Sequence, residues 1–370
     1  MLRKITRFLR EAYLEWDYPG LWRTLLSDKK KYVYYGYLGD FNFGDVMVHQ
    51  ATEIIFGDDS LIIPYKRRMP LLLGFLLRNR MIALDGIIVG GGTIMKSAME
   101  QAFFTKAAAS WGLPVFFHGT GSTSGIGQMD FWRTLLERRC SGGVRGPMSV
   151  AKIEESLGLK VPVVGDAALG LFEAKLWRRE DGRGILVNLG THHDFAGRET
   201  ARLALTAFVR DQVAKGEQVG FLPMHAIDVQ LAEKLREQVP SMQIHSIPRD
   251  LAEAVGVFHQ YAFAAGERLH FNIIAAMAKT PFLSINYRPK HNDFFKTTAL
   301  LHAGCDPLLV TPGLLLERYE ERKGFAWEAV LPRLEELRDR QFSAAKQLIR
   351  NPNFTETAPT RDSLANENIL

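Results

Sequence analysis

Cysteine is nearly absent from this chain: Cys140 and Cys305 are the only two among 370 residues. They lie far apart, with no CxxC or Cys-His spacing. A disulfide framework and a zinc site are both unexpected, and a reducing cytoplasm is the simplest home. Long apolar runs are missing too, since none approaches the roughly 18 uninterrupted apolar residues of a membrane span. The opening MLRKITRFLREAYLEWDYPGLWRTLL has no signal-peptide core or small-residue cleavage site. A large charge of one sign is also lacking. The formal net charge is +5 with 24% charged residues, which suits anionic ligands or a phospholipid surface but does not argue for nucleic acid. No helix-turn-helix, zinc-finger or RNA-binding signature argues for it either.

The chain does have size and alternation. With 370 residues and 46% hydrophobic content, it exceeds the usual single core, so two domains are the default. From about residue 31, KYVYYGYL, SLIIPY, DGIIVG, LPVFFHG, SGGVRG and VPVVGD read as strands, with helix-length segments between them. After the charged linker LWRREDGRG the alternation restarts with ILVNLG, QVGFLPM, SMQIHSI, YAFAAGE and PFLSIN. This pattern predicts an α/β protein of two Rossmann-like lobes, whose parallel sheets face a cleft. The expected division is a basic amphipathic segment over 1–30, a first lobe over 31–175, a second over 183–350 and a flexible tail over 351–370. The Leu, Phe, Tyr and Trp residues of the first segment suit either an amphipathic helix on a membrane face or one packed on the protein's own surface.

In such sheets ligands bind beyond the carboxyl ends of strands, which directs attention to the loops there. GDFNFGD, residues 39–45, turns the chain into a helix, with Asp40, Asn42 and Asp45 as candidate caps. Glycines 90–92 bring the backbone close to a neighbour, either a packed helix or a ligand. They are not a GxGxxG fingerprint, and no acidic residue follows for a ribose. His118 precedes a glycine turn and reads best as a hydrogen-bonded structural histidine. Arg145 sits at a strand end with Pro147 in the first turn of the next helix. Asp166 reads as a helix cap. The strongest pattern is GERLHFNIIAAMAKTPFLSINYRPK, residues 266–290. A helix apolar nearly all round places Arg268 and His270 at its head, and the next strand ends in Arg288 and Lys290. Unpaired charges there would be costly, so a bound anion is the economical partner.

Taken in order, GDFNFGD, the glycines at 90–92, HGTG at 118–121, VRGPMS at 144–149, GDAAL at 165–169 and GERLH with PFLSINYRPK resemble the polysaccharide pyruvyl transferase family. The resemblance covers roughly residues 33–305. It implies a fold like that of glycosyltransferase-B enzymes, and transfer of pyruvate from phosphoenolpyruvate to a sugar as a cyclic ketal. It further implies that Arg145, Arg268 and Lys290, with Arg288 beside them, hold the donor's phosphate and carboxylate, and that His270 is the catalytic acid. Asn42, Asp45, Gly91 and Gly92 would line the acceptor side. Where the family has an Arg-Asp pair, this chain has Arg145-Gly146.

The chemistry suits these residue types. Phosphoenolpyruvate carries a phosphate and a carboxylate and needs several fixed cations. Its methylene must take a proton before a sugar hydroxyl attacks the central carbon, which a histidine can supply near neutral pH. No metal-ligand constellation is present, and the reaction needs neither a metal nor a cofactor. The expected partners are phosphoenolpyruvate and a cell-surface glycan or its lipid-linked precursor. Two alternatives stand beside this reading. One is a nucleotide-sugar glycosyltransferase, in which Glu267 would meet the ribose; the other is a non-catalytic glycan-binding protein.

Overall fold

The computed structural model describes residues 27–37, 42–65, 71–96, 101–123, 125–177, 182–190 and 195–350. Most of the 1–30 segment, the whole 351–370 tail, and Gly39, Asp40 and Phe41 of the first glycine loop lie outside the described residues.

The first sheet has five parallel strands: β1 (Lys30–Tyr35), β2 (Ser60–Pro64), β3 (Gly86–Val89), β4 (Val115–Thr120) and β5 (Arg139–Val144), in the order β2-β1-β3-β4-β5. The helices between them are α1 (Phe43–Phe56), α2 (Leu71–Arg78), α3 (Gln101–Thr105), α4 (Met129–Glu137) and α5 (Pro147–Leu157). The second sheet has six parallel strands: β6 (Ile185–Asn188), β7 (Val219–Phe221), β8 (Gln243–Ile244), β9 (Phe263–Gly266), β10 (Phe282–Ile285) and β11 (Gly304–Cys305), in the order β11-β10-β9-β6-β7-β8. Its helices are α6 (Arg198–Ala214), α7 (Asp228–Gln238), α8 (Leu251–Phe258), α9 (Leu269–Met277), α10 (Pro289–Thr297) and α11 (Pro312–Glu320).

Strands such as GIIV, ILVN, FAAG and FLSI are buried along their whole length. That is why they read as continuous apolar runs rather than alternating ones. Each order reverses once, between β1 and β3 in the first lobe and between β6 and β9 in the second. The carboxyl ends flanking a reversal are where such sheets bind ligands. At the second reversal Asn188 pairs with Gly266, and Gly266 with Ser284. Three neighbouring strands thus end in register, just before Arg268 and Arg288.

Three features depart from the sequence expectation. VPVVGD forms only an isolated bridge between Val163 and Val144 instead of a strand. Strand β11 has two residues, too few for a periodic signal. The last helix, α12 (Val330–Arg350), falls within the range expected for the second lobe but packs on the first. Gln341 donates to the carbonyls of Val164 and Asp166 at 3.0 and 2.9 Å, and Lys30 donates to the Ile349 carbonyl. The chain therefore crosses between lobes a second time. Its amphipathic pattern fixes which face is buried, not which lobe receives that face. A single apolar cluster then stitches the lobes, running from Phe43, Met47 and Val48 through Ala167–Leu169 to Leu269, Phe271 and Leu337.

His118 is a structural histidine. It is fully buried, with Nδ1 2.9 Å from the Thr52 hydroxyl and Nε2 2.9 Å from Gln341 Oε1. Because an amide oxygen only accepts, Nε2 carries the proton. Burial depresses its pKa to about 4, and burial likewise holds His291 at about 3. The unfolded chain takes up these protons near pH 6.5 and the native fold does not, so stability is full above 6.5 and falls below it. The expected loss is about 1.4 kcal/mol per histidine per pH unit down toward pH 4. Denaturant unfolding between pH 7.5 and 4.5 measures it, and His118→Gln should flatten the slope by roughly one histidine's share.

Candidate functional site

The site grows from three chain segments. Asn42 caps α1 by accepting the Gly44 amide at 3.1 Å, while its side-chain amide donates to Asp45 Oδ2 at 2.8 Å. The Phe43 amide also donates to the Met224 carbonyl of the other lobe at 2.8 Å. The first loop thereby docks on the second lobe instead of standing free. Asn42 and Asp45 remain partly exposed at this seam.

Helix α9 starts at that seam. Leu269, Phe271, Ile273, Ile274 and Met277 are all buried, each contributing about 1.5–3 kcal/mol by leaving water. That burial pins the position of the two polar residues at its head. His270, 14% exposed, packs across the lobe boundary. Its Nε2 lies 3.6 Å from Asp166 Oδ1, longer than a hydrogen bond. Its Nδ1 edge lies against Gly44, where a Cβ would come within 2.1 Å of it. Only glycine at position 44 leaves room for the imidazole.

The four expected cations divide into two pairs. Arg145 is 1% exposed and does not open onto a cleft as expected; its Nε donates to Asp166 Oδ2 at 2.7 Å. Its Nη1 is buried over Gly121 with no hydrogen-bond partner. Arg268 is engaged as well. Its Nε donates to Asp228 Oδ2 at 3.1 Å and its Nη2 donates to Oδ1 at 2.5 Å, and Asp228 is fully buried. Arg288 and Lys290 are different. Among the described residues neither has a carboxylate partner, and each lies near the Tyr287 ring, at 5.7 and 5.6 Å from its centroid. Desolvation lowers the pKa of Lys290, and the charges of Arg145, Arg288 and Arg268 push it the same way. All four cations therefore act on one spot, with two neutralised in place and two left over.

Burial alone would raise the pKa of Asp166. The Arg145 guanidinium and His270 instead hold it well below the usual carboxylate range. Asp166 is thus an ionised carboxylate in contact with both an expected donor cation and the expected acid. Glycines 91 and 92 bear less on the site than expected. A Cβ at Gly91 would meet Ala167 and Val48, so the close approach there is to the protein itself. Gly92 accepts the Gly121 amide at 2.7 Å and lies near Tyr37.

His291 and Asp228 take part in the site although the sequence pattern assigns them no role. His291 is buried with Nε2 2.9 Å from the Glu267 carbonyl and Nδ1 3.1 Å from that of Arg288, and its neutral ring donates its one N–H to one of these two acceptors. A histidine directly after Lys290 was the available signal. Asp228 had none beyond an acidic first turn of α7. Glu267 is 1% exposed; it accepts the Gly190 amide at 2.7 Å and lies 3.6 Å from Arg202 Nε. Burial raises its pKa. Among the described residues no group of three His, Cys, Asp or Glu side chains is placed to hold a metal ion, and no helix is long and apolar enough to cross a membrane.

Two parallel-stranded Rossmann-like lobes meeting at a cation-rich seam define a GT-B-like α/β fold. Residues 11–289 match the polysaccharide pyruvyl transferase family, and the chain belongs to that family. No curated protein matches the sequence. Among solved structures, the UDP-GlcNAc 2-epimerase of Neisseria meningitidis bound to UDP-GlcNAc aligns at 10% identity and a TM-score of 0.53, covering 87% of this chain and all (100%) of that one. The UDP-GlcNAc 2-epimerase of Methanocaldococcus jannaschii aligns at 10% identity and a TM-score of 0.50, over 81% and 93% of the two chains. These likenesses establish the fold alone.

Gly44→Ala tests the seam. The new methyl must displace His270 or α1, at a cost of about 1–3 kcal/mol from overpacking, and the His270 ring resonances in NMR should move. Gly256→Ala is the control. Nothing lies within 4 Å of a Cβ at Gly256, inside α8, so that change should stabilise by about 0.5–1 kcal/mol.

Proposed function

We propose that the protein transfers pyruvate from phosphoenolpyruvate to two hydroxyls of one sugar, forming a cyclic ketal on a cell-surface polysaccharide or its lipid-linked precursor. The observation that carries this reading is the pair Arg288 and Lys290, cations without a carboxylate partner among the described residues, at the end of β10, the strand paired with the β9 that leads into His270. A desolvated cation without a counterion is unfavourable, and a multiply charged anion relieves that cost. Arg288 and Lys290 bind the donor's phosphate and carboxylate. Arg145 and Arg268, held by Asp166 and Asp228, add fixed positive field.

The steps balance as follows. The His270 imidazolium gives its proton to the donor's CH₂, which becomes CH₃, as the first sugar oxygen bonds to the central carbon. That hydroxyl's proton returns to the imidazole. The bond from the central carbon to the phosphate oxygen then breaks, and the second hydroxyl closes the ketal while its proton leaves with phosphate. The Asp166 carboxylate faces the imidazole across the lobe boundary at 3.6 Å. Asn42 and Asp45 face the same seam and line the acceptor side. A nucleotide-sugar donor finds less support, because Glu267 is already occupied by the Gly190 amide and lies beside Arg202.

Phosphate release from phosphoenolpyruvate in the presence of a glycan panel is the primary assay; no release with any acceptor, alongside nucleotide release from a sugar nucleotide, would refute the proposal. His270→Ala should lower kcat by about 10²- to 10⁴-fold. Lys290→Ala should raise the donor KM by about 10- to 100-fold, the worth of one charge-assisted bond. Because the amine of Lys290 is depressed, donor affinity should weaken as pH rises through that lowered pKa. Lys290→Arg should keep affinity flat across the same range, as donor KM against pH would reveal.

A further inference from the structure

Helix α5 begins after Gly146, a residue with no side chain to cap it. Its cap comes from the other lobe. Asp293 of α10 accepts the Met148 and Ser149 amides on Oδ1 at 2.8 and 3.3 Å, and the Ser149 hydroxyl on Oδ2 at 2.6 Å. Asp293 is 0% exposed. Gly146 makes the contact possible, since a Cβ there would sit 2.4 Å from the Asp293 carbonyl and Oδ1 and 2.6 Å from Thr297 Oγ1. The Thr297 hydroxyl in turn lies 3.3 Å from the Arg145 carbonyl.

The two ends of this contact carry the anion site. Arg145 directly precedes Gly146, while Arg288 and Lys290 lie within the turn before Asp293. The positive charges of Arg145 and Arg288 act on Lys290 across this seam, a repulsion that opposes its closure. A carboxylate on a helix N-terminus is favoured by the partial positive charge there, and its bonds oppose that repulsion.

We propose that Asp293 is a positioning residue. It caps α5 across the lobe boundary and thereby holds Arg288 and Lys290 against Arg145, so the anion site is complete only while this contact is made. Glycine at 146 leaves space for the incoming carboxylate. The kinetic part of the proposal rests on the phosphoenolpyruvate reading; the docking part does not.

Amide hydrogen exchange on the full-length protein without ligand tests docking. Asp293→Ala should speed exchange by 10-fold or more at Met148 and Ser149 and also along α10, whereas loss of a merely local cap would affect α5 alone. Unchanged protection of α10 would overturn the proposal whatever the kinetics. Donor kinetics test the consequence. Asp293→Ala should raise the phosphoenolpyruvate KM by 10-fold or more, with kcat at saturating donor within about threefold, because Asp293 touches no reacting atom. The conservative Asp293→Asn keeps an oxygen for the α5 amides and should restore most of both the exchange protection and the KM. An Asn variant with full protection but a KM as high as that of Asp293→Ala would overturn the positioning role. A wild-type protein inert toward phosphoenolpyruvate would refute the proposed function and leave the exchange pattern to decide this inference.

Discussion

The buried carboxylate of Asp166 is the constraint on which the rest of the site depends. It sits in the first lobe, bonds the Arg145 guanidinium at 2.7 Å and faces the His270 imidazole of the second lobe at 3.6 Å. Removing one member of such a buried pair leaves an uncompensated charge and costs about 3–5 kcal/mol. Asp166 is therefore held in place by its partners as firmly as it holds them. The side chain also accepts the Ala168 amide, while its carbonyl accepts from Gln341, whose Oε1 receives the His118 proton. A network built for packing thus ends at the group beside the proposed acid.

Electrostatics divides the surroundings of this carboxylate into fixed and available charge. Arg145 and Arg268 are satisfied by Asp166 and Asp228 and cannot swing toward a ligand without leaving a buried carboxylate bare. Among the described residues Arg288 and Lys290 have no carboxylate partner, and both lie near the Tyr287 ring. The paired arginines shape the field, and the other two cations supply the bonds a ligand can take. His291 and Asp293 lie in the same short helix, one with Nε2 at the Glu267 carbonyl of the neighbouring strand end and the other bonded to the opposite lobe.

Much of this was legible before any coordinates. The repeated alternation of apolar runs and helices specified two α/β lobes, because strands buried on both faces must be continuously apolar. The all-apolar α9 marked an internal helix, so its leading Arg268 and His270 stood out as polar residues at a buried end. Their carboxylate partners did not stand out. Asp228 and Asp293 look like ordinary helix residues, and nothing local records that one meets an arginine 40 positions away and the other a helix 144 positions away. Gly91 is open in the sequence for a related reason: a glycine demands close approach, but the sequence does not say whether protein or ligand approaches, and here Ala167 and Val48 do.

By itself, then, the sequence determined the class of fold, the strand ends that matter, and the residue types gathered there, since periodicity and local chain stiffness encode each of these. Which cations are already neutralised, which lobe receives α12, and which carboxylate caps α5 were decided only by the tertiary structure. Those are pairings between distant segments, set by how two complete lobes fit together, and Coulomb energy depends on the distance between charges in space rather than along the chain.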